Sequence, residues 1–495
     1  MRLLVGLCLA CPAHPRGQEA QQDPQKTIEA YRHALQVQSR DKQPQQWAAT
    51  QNKLGVTLGE VGAAAQGSQA VSYIQQAIDA FRSALEVYGP DTQGVEWAAT
   101  EKSLGTALQD LGMRVEMAQG APYLRQSADA FHRALEVYTR EKLPQDWAST
   151  QFNLGTVLEL LGQRTQGPEA IQSLKLALEA LRASQQVYTR QDSPEQWAMV
   201  QNNVAATLRA LGRHTEASEG EQYLQQAADA FRSLLESYTR ERDPSAWAMA
   251  QNSLGLVLGD LGFRTEGLQA IQSLQLAVET FRTVLAVYTR DQHPQDWAET
   301  QGELEIALRE LAGRTEGSQT ADYAQQAVDA CRSALSVYTR EQTPDEWAMT
   351  QNHLGHALHD LARRSEGARA AEYLQQAADA YRAALQATPR VESSENWAVL
   401  QLNLAQVLGE LINNCDAAQK PKYVQQTVEA LNGAQQVFTE TDFPREWLRA
   451  TNLLAMAYES AGDRANAYKY YEQIARYAPG NEILKAKLKS LSEKR

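Results

Sequence analysis

What this chain lacks narrows its class before anything it contains. Its four cysteines, Cys8, Cys11, Cys331 and Cys415, follow no fixed spacing, which excludes a disulfide framework. No apolar stretch reaches the ~18 residues that a membrane-spanning helix needs, so no span is expected. No run of lysine and arginine relieves the formal net charge of −13. That sign repels phosphate backbones, so nucleic acid is not an expected partner and basic proteins or peptides fit better. There is no P-loop, no strand-linked GxGxxG and no GxSxG elbow. Nor does any nucleophile stand with a base and an orienting group. The chain therefore reads as non-catalytic, and no cofactor is expected.

What is present is a ruler. Trp47, Trp97, Trp147, Trp197, Trp247, Trp297, Trp347, Trp397 and Trp447 follow one another at 50 residues each time. A period of this size means one supersecondary unit copied end to end, each copy packing on its neighbours.

One copy shows the grammar. Pro244 opens a helix, where its missing N–H costs nothing. Trp247, Leu254, Leu258 and Leu261 then fall on one stripe of a 3.6-residue period. Gly262 is expected to stop that helix. A second helical pattern runs through Leu274, Ala277, Phe281, Leu285 and Tyr288. Each unit is thus two amphipathic helices, the first of about 18 residues and the second of about 20. Glycine or alanine recurs in mid-helix at Gly55, Gly105, Gly155, Ala205, Gly255, Gly355, Ala405 and Ala455. A mid-helix glycine costs up to ~1 kcal/mol against alanine, so its repetition predicts close approach of another helix. Cys331, at an aromatic position of the unit, reads as a small buried hydrophobe.

The last unit carries a resemblance. Leu454, Ala455, Tyr458, Gly462, Ala467, Tyr471 and Pro479 resemble the 34-residue tetratricopeptide repeat in type and spacing. The other units keep the Leu-Gly, the later small residue and the aromatic but lengthen both helices. The resemblance implies an all-α, right-handed superhelical solenoid of helix-turn-helix repeats, with first helices inside and second helices outside. Residues 1–46 read as a truncated or degenerate first repeat, 47–446 as eight 50-residue repeats, 447–479 as a repeat of standard length, and 480–495 as a capping helix. Residues 1–11 also fit a weak secretory or lipoprotein signal. A cytoplasmic protein is expected on the first reading of that segment, an exported one on the second. Long-period arrays with Trp-Ala-x-Thr-Gln-x-x-Leu-Gly also resemble the sensor arms of bacterial signalling proteins.

For function the resemblance implies a scaffold that holds a protein or peptide in a groove lined by the first helices. Self-assembly as a structural scaffold is the alternative, and the sequence leaves the oligomeric state open. The positions of Ala49, Asn52, Lys53, Val56, Gly59 and Glu60 point away from the apolar stripe and vary between copies. Asn52, Asn202, Asn252, Asn352 and Asn452 share one of them. They resemble the asparagine ladders by which some family members hold a ligand main chain, since an amide both donates and accepts. The row is interrupted at Lys102, Phe152, Gly302 and Leu402. Phe152, Met199, Met249, Leu256, Met349 and Met456 supply apolar groups beside it, and methionine suits adaptable surfaces. Arg209 and Arg309 would take a partner's carboxylates. The invariant acidic position of Asp79, with Arg82 three residues on, reads as an i,i+3 pair of structural value only. Glu303, His353, His356 and His359 form a remote metal candidate, because histidine and carboxylate on neighbouring helices can hold a divalent ion. No metal motif accompanies them, and no metal is expected.

Overall fold

A computed structural model describes residues 23–391 and 394–492. The signal or truncated-repeat reading of residues 1–11, with Cys8 and Cys11, lies outside them, as do residues 493–495. The described residues form twenty α-helices and no strand. In chain order they are α1 (Pro24–Val37), α2 (Pro44–Ala64), α3 (Gly67–Leu85), α4 (Gly94–Arg114), α5 (Met117–Val137), α6 (Pro144–Arg164), α7 (Gly167–Ser184), α8 (Pro194–His214), α9 (Ala217–Leu235) and α10 (Pro244–Arg264). They continue with α11 (Gly267–Leu285), α12 (Pro294–Arg314), α13 (Ser318–Ala334), α14 (Pro344–Ala362), α15 (Gly367–Ala387), α16 (Ser394–Asn414), α17 (Lys420–Gln435), α18 (Pro444–Ser460), α19 (Arg464–Ala475) and α20 (Glu482–Ser492). The chain divides into two units between Leu261 and Gly262. Successive helices pack together from α1 to α9 in the first and from α11 to α20 in the second, and first helices of successive repeats also touch: α2 with α4, α4 with α6, α6 with α8, and in the second unit α12 with α14 and α16 with α18. This is the expected all-α helical-repeat fold.

The pairing inside a repeat depends on missing side chains. A Cβ placed on Gly55 would lie 2.7 Å from Cε1 of the Phe81 ring, and one on Gly105 would lie 2.8 Å from that of Phe131. Gly355 meets Tyr381 at 2.6 Å in the same way. Seven residues on, two helical turns further along the same face, a second glycine does the same. A Cβ on Gly62 would meet Ile74 at 2.7 Å, on Gly162 Leu174 at 2.6 Å, and on Gly212 Leu224 at 2.6 Å. This corrects the helix boundary. The glycine expected to stop the first helix lies inside it, and the helix runs 21 residues in most copies. The tight turn falls instead on the glycine that opens the second helix, at φ +60 in Gly67, +62 in Gly167 and +58 in Gly367, where a side chain would be strained.

Successive repeats are tied by arginines. Arg164 donates to the carbonyls of Gly112 and Met113 at 2.5 and 3.2 Å, and Arg114 to that of Ala63 at 3.0 Å. Arg314 reaches Thr265 and Phe263 likewise, and Arg364 reaches Ala312. Each of these last-turn arginines satisfies carbonyls that the preceding first helix leaves open at its C-terminus. A second ladder runs along the other helices. Arg82 donates to Gln126 and Arg332 to Gln376, both at 2.9 Å, each spanning 44 residues. The expected Asp/Arg i,i+3 pair is therefore only part of that arginine's work. It forms at Asp229–Arg232 and Asp379–Arg382, while Arg82 reaches into the next repeat. Trp47, Trp197, Trp247 and Trp397 each carry an arginine of the preceding turn over the indole, 5.5 Å for Arg40 on Trp47 and 5.1 Å for Arg390 on Trp397, a cation–π contact.

Gly105→Leu is expected to destabilise the array by ~1–3 kcal/mol through overpacking against Phe131. Denaturant unfolding of the purified chain checks this, and an unchanged midpoint would refute the close-contact reading.

Candidate functional site

The first helices of each unit lie side by side, so their outward positions form a strip. Much of that strip is occupied by bonds between repeats. Lys102 donates to Ser149 Oγ at 2.6 Å, Asn203 to Thr156 Oγ1 at 3.2 Å, and Thr207 to Glu159 Oε2 at 3.1 Å. In the second unit Asn403 donates to Asn352 Oδ1 at 3.4 Å, and Arg449 to Gln406 at 2.5 Å.

The candidate asparagines are not a uniform row. Asn52, Asn202, Asn252 and Asn352 are half-buried, while Asn452 is exposed. Asn352 already accepts from the next repeat, and Asn202 makes a long bond to its neighbour Asn203. The amide oxygens of Asn52 and Asn252 are buried and accept no hydrogen bond from any described residue. A buried acceptor without a partner is uncommon and asks for an explanation.

The apolar candidates divide too. Leu256 is buried, and Phe152 and Met199 are half-buried. Met249 is 41 % exposed, Met349 and Met456 each 47 %. Val399, at the position of Met349 in the following repeat, is also exposed. Sequence reasoning passed it over, although its place in the 50-residue register marks it.

The charged candidates are engaged within the array. Arg209 and Arg309 are held within the array: Arg209 pairs with Asp260 at 2.6 Å and Arg309 with Glu305 at 3.1 Å. His353 Nδ1 lies 3.1 Å from Oε2 of the buried Glu305. The three candidate histidines face three directions. His359 Nε2 meets Glu410 at 2.9 Å, and His356 Nε2 meets the Asn403 amide at 3.3 Å while its ring stands edge-on to Tyr381. Among the described residues no three ligating side chains come together as a metal would require. Burial, reinforced by Arg309, lowers the His356 pKa to about 4, so its ring is neutral and accepts.

Glu305 explains a local departure. It stands where other copies have glycine or alanine, and opposite it, where most have an aromatic ring, stands Cys331. Glu305 is fully buried and Cys331 is 1 % exposed. The two changes compensate in volume: the carboxylate arm enters space that a ring fills elsewhere. Burial, followed by the charge of Glu305, pushes the Cys331 thiol up, so it is an inert packing group, as expected. Sequence reading also missed Glu159, a buried carboxyl on α6. Burial raises it to about 7 against hydrogen bonds from Thr207 and Gln163.

The last hairpin decides the repeat type. Leu454 and Ala455 of α18 are fully buried, Ala455 packs with Ala467 and Tyr471 of α19, and Gly462 turns between them at φ +79. The longer hairpins repeat the same small-against-large contact at Gly55–Phe81 and Gly105–Phe131. In this small-against-large pairing of helical hairpins the chain resembles a tetratricopeptide array. No family model and no curated protein matches it. Among solved structures it is similar to the C-terminal part of a TPR repeat-containing protein from Cytophaga hutchinsonii, at 12% identity over 64% of this chain and 99% of that one, TM-score 0.40. It is similar to a signal transduction ATPase with a tetratricopeptide repeat sensor from Pyrococcus horikoshii, at 11% identity over 95% of this chain and 74% of that one, TM-score 0.40. A third is the apo quorum sensor NprR from B. thuringiensis, at 12% identity over 92% and 99% of the two chains, TM-score 0.40. Among the described residues no helix is long and apolar enough to cross a membrane.

Two outcomes test this geometry. Cys331→Phe alone is expected to lower stability by ~1–3 kcal/mol, since the ring collides with the Glu305 arm. Adding Glu305→Gly should recover most of that loss, and strict additivity in the double-mutant cycle would refute the coupling. Glu159 has a folded-state pKa above its ordinary value of 4.5. Folding therefore takes up a proton between pH 4.5 and about 7, and stability falls as pH rises through that window, by about 3 kcal/mol for this group. Glu159→Gln should flatten the dependence and unfold at higher denaturant than the parent at about pH 8. Parallel curves for parent and variant would remove Glu159 as the cause.

Proposed function

We propose that the protein is a non-catalytic scaffold that binds a protein or peptide partner along the strip that the first helices form within each unit. The observation that carries this is the exposure of Met249, Met349 and Met456 on the outward face. Phe263, Leu268 and Leu276 of the Met249 repeat are exposed as well, the last two on its second helix. Isolated exposed apolar groups are ordinary. Here they recur at outward positions of the 50-residue register, Met249 and Met349 at the same one, and methionine adapts its shape to varied partners. The unpaired amide oxygens of Asn52 and Asn252 support the same reading, since a partner's main-chain N–H would satisfy them. Arg209 and Arg309 have no part in this proposal. Asn202, Asn252 and Asn352 keep their place in it, with Asn352 exchanging an inter-repeat bond for a partner's.

The test is selection from a displayed random-peptide library with the intact chain as bait, followed by titration of the selected peptides. Met249→Glu with Met349→Glu is expected to weaken binding at least tenfold without moving the melting temperature. Asn202→Ala, Asn252→Ala and Asn352→Ala together should abolish it. Peptides whose affinity ignores both sets, or a library that yields no saturable binder, would overturn the assignment.

A further inference from the structure

The second unit contains a cleft of about 500 Å³ between the C-terminal parts of α12 and α14, lined by Arg309, Glu310, Gly313, Asp360, Arg363 and Arg364. It exists because one side chain is missing. The position of Gly313 is Ala63, Met113, Gln163, Arg213, Phe263, Arg363 and Asn413 in the other copies. Nothing lies within 4 Å of where a Cβ on Gly313 would be, and its φ is not in the left-handed range. Neither crowding nor backbone geometry therefore requires glycine there. In the following repeat α14 ends two residues earlier than most first helices, at Ala362, so Arg363 and Arg364 leave the helix in a turn beside the opening.

The charges do not cancel within the cleft. The Glu310 carboxylate is matched by Arg314 at 2.6 Å, which is not part of the lining. Arg364 donates to two neutral acceptors, the carbonyls of Asp360 and Ala312 at 2.6 and 3.1 Å, and so keeps its charge. Arg309 is held at 3.1 Å by the buried Glu305, whose other oxygen faces His353. Arg363 acts on Glu410 through its charge, but the Glu410 carboxylate is bonded to His359. Three guanidinium groups line the space; with Arg309 matched by Glu305, Arg363 and Arg364 remain against the single carboxylate of Asp360. Two of the three are held by bonds that fix where they point. Planar, pre-oriented guanidinium donors match the paired oxygens of an oxyanion.

We propose that this cleft binds an oxyanion, a phosphate or dicarboxylate group, through Arg363 and Arg364 with Arg309 at its floor. The site stands independently of the peptide-binding strip. Inorganic phosphate and glutarate are the two probes, titrated separately into the full chain by calorimetry in low-chloride buffer. Saturable one-to-one binding of either is expected, the tighter of the two identifying the source of the oxygens. Arg363→Gln should weaken it at least tenfold. Gly313→Met, which introduces the side chain that Met113 carries at this position, should abolish it while leaving the melting temperature unchanged. Absence of saturable binding by both anions overturns the proposal, as does binding that survives both substitutions. A chain that binds selected peptides but neither anion would lose this site and keep the scaffold reading. One that binds phosphate but no peptide would do the reverse.

Discussion

The contact on which everything else rests is a backbone left bare beneath a large side chain. Where Gly55 meets Phe81 or Gly105 meets Phe131, the two helices of a repeat approach until no Cβ fits between them. Close packing of this kind tolerates little change in volume. It fixes the angle of the hairpin, and that angle, copied every 50 residues, sets first helix beside first helix. The strip of outward positions, the arginine caps and the cleft at Gly313 all follow from that registration. At Glu305 and Cys331 both partners of the contact change together, whereas Gly155 keeps its glycine beneath Leu181.

Much of this was legible in the sequence because a repeat is its own alignment. Nine copies of a tryptophan position and eight small residues in one slot made both helices and their close approach readable from a single chain. The helix end was misplaced because glycine serves two purposes. Gly62 and Gly162 look like stops, yet they are packing residues against Ile74 and Leu174. Nothing in their identity separates the two roles. Only the distance to the next glycine, Gly67 or Gly167, carries the true turn.

The outward face was less legible, for a physical reason. Variation between copies was read as freedom to meet a partner. Much of it is instead complementarity between neighbours: Arg209 varies with Asp260, Asn203 with Thr156, His359 with Glu410. Each such pair spans about one period, so its members occupy nearly the same slot in consecutive copies, and the slot varies because the pair does. A pairing search at separations of 47 to 51 residues would have found them. Met249 and Met349 escape this account, for they stay exposed.

The arginine caps give the array a direction. Arg164 closes the end of the first helix one repeat before its own, and Arg114 and Arg314 do likewise. A hairpin emerging during synthesis thus remains unfinished until roughly another 50 residues have left the ribosome. Growth and erosion are then unequal at the two termini: losing a repeat from the front deprives its successor of a floor, whereas losing one from the back reopens the carbonyls of its predecessor.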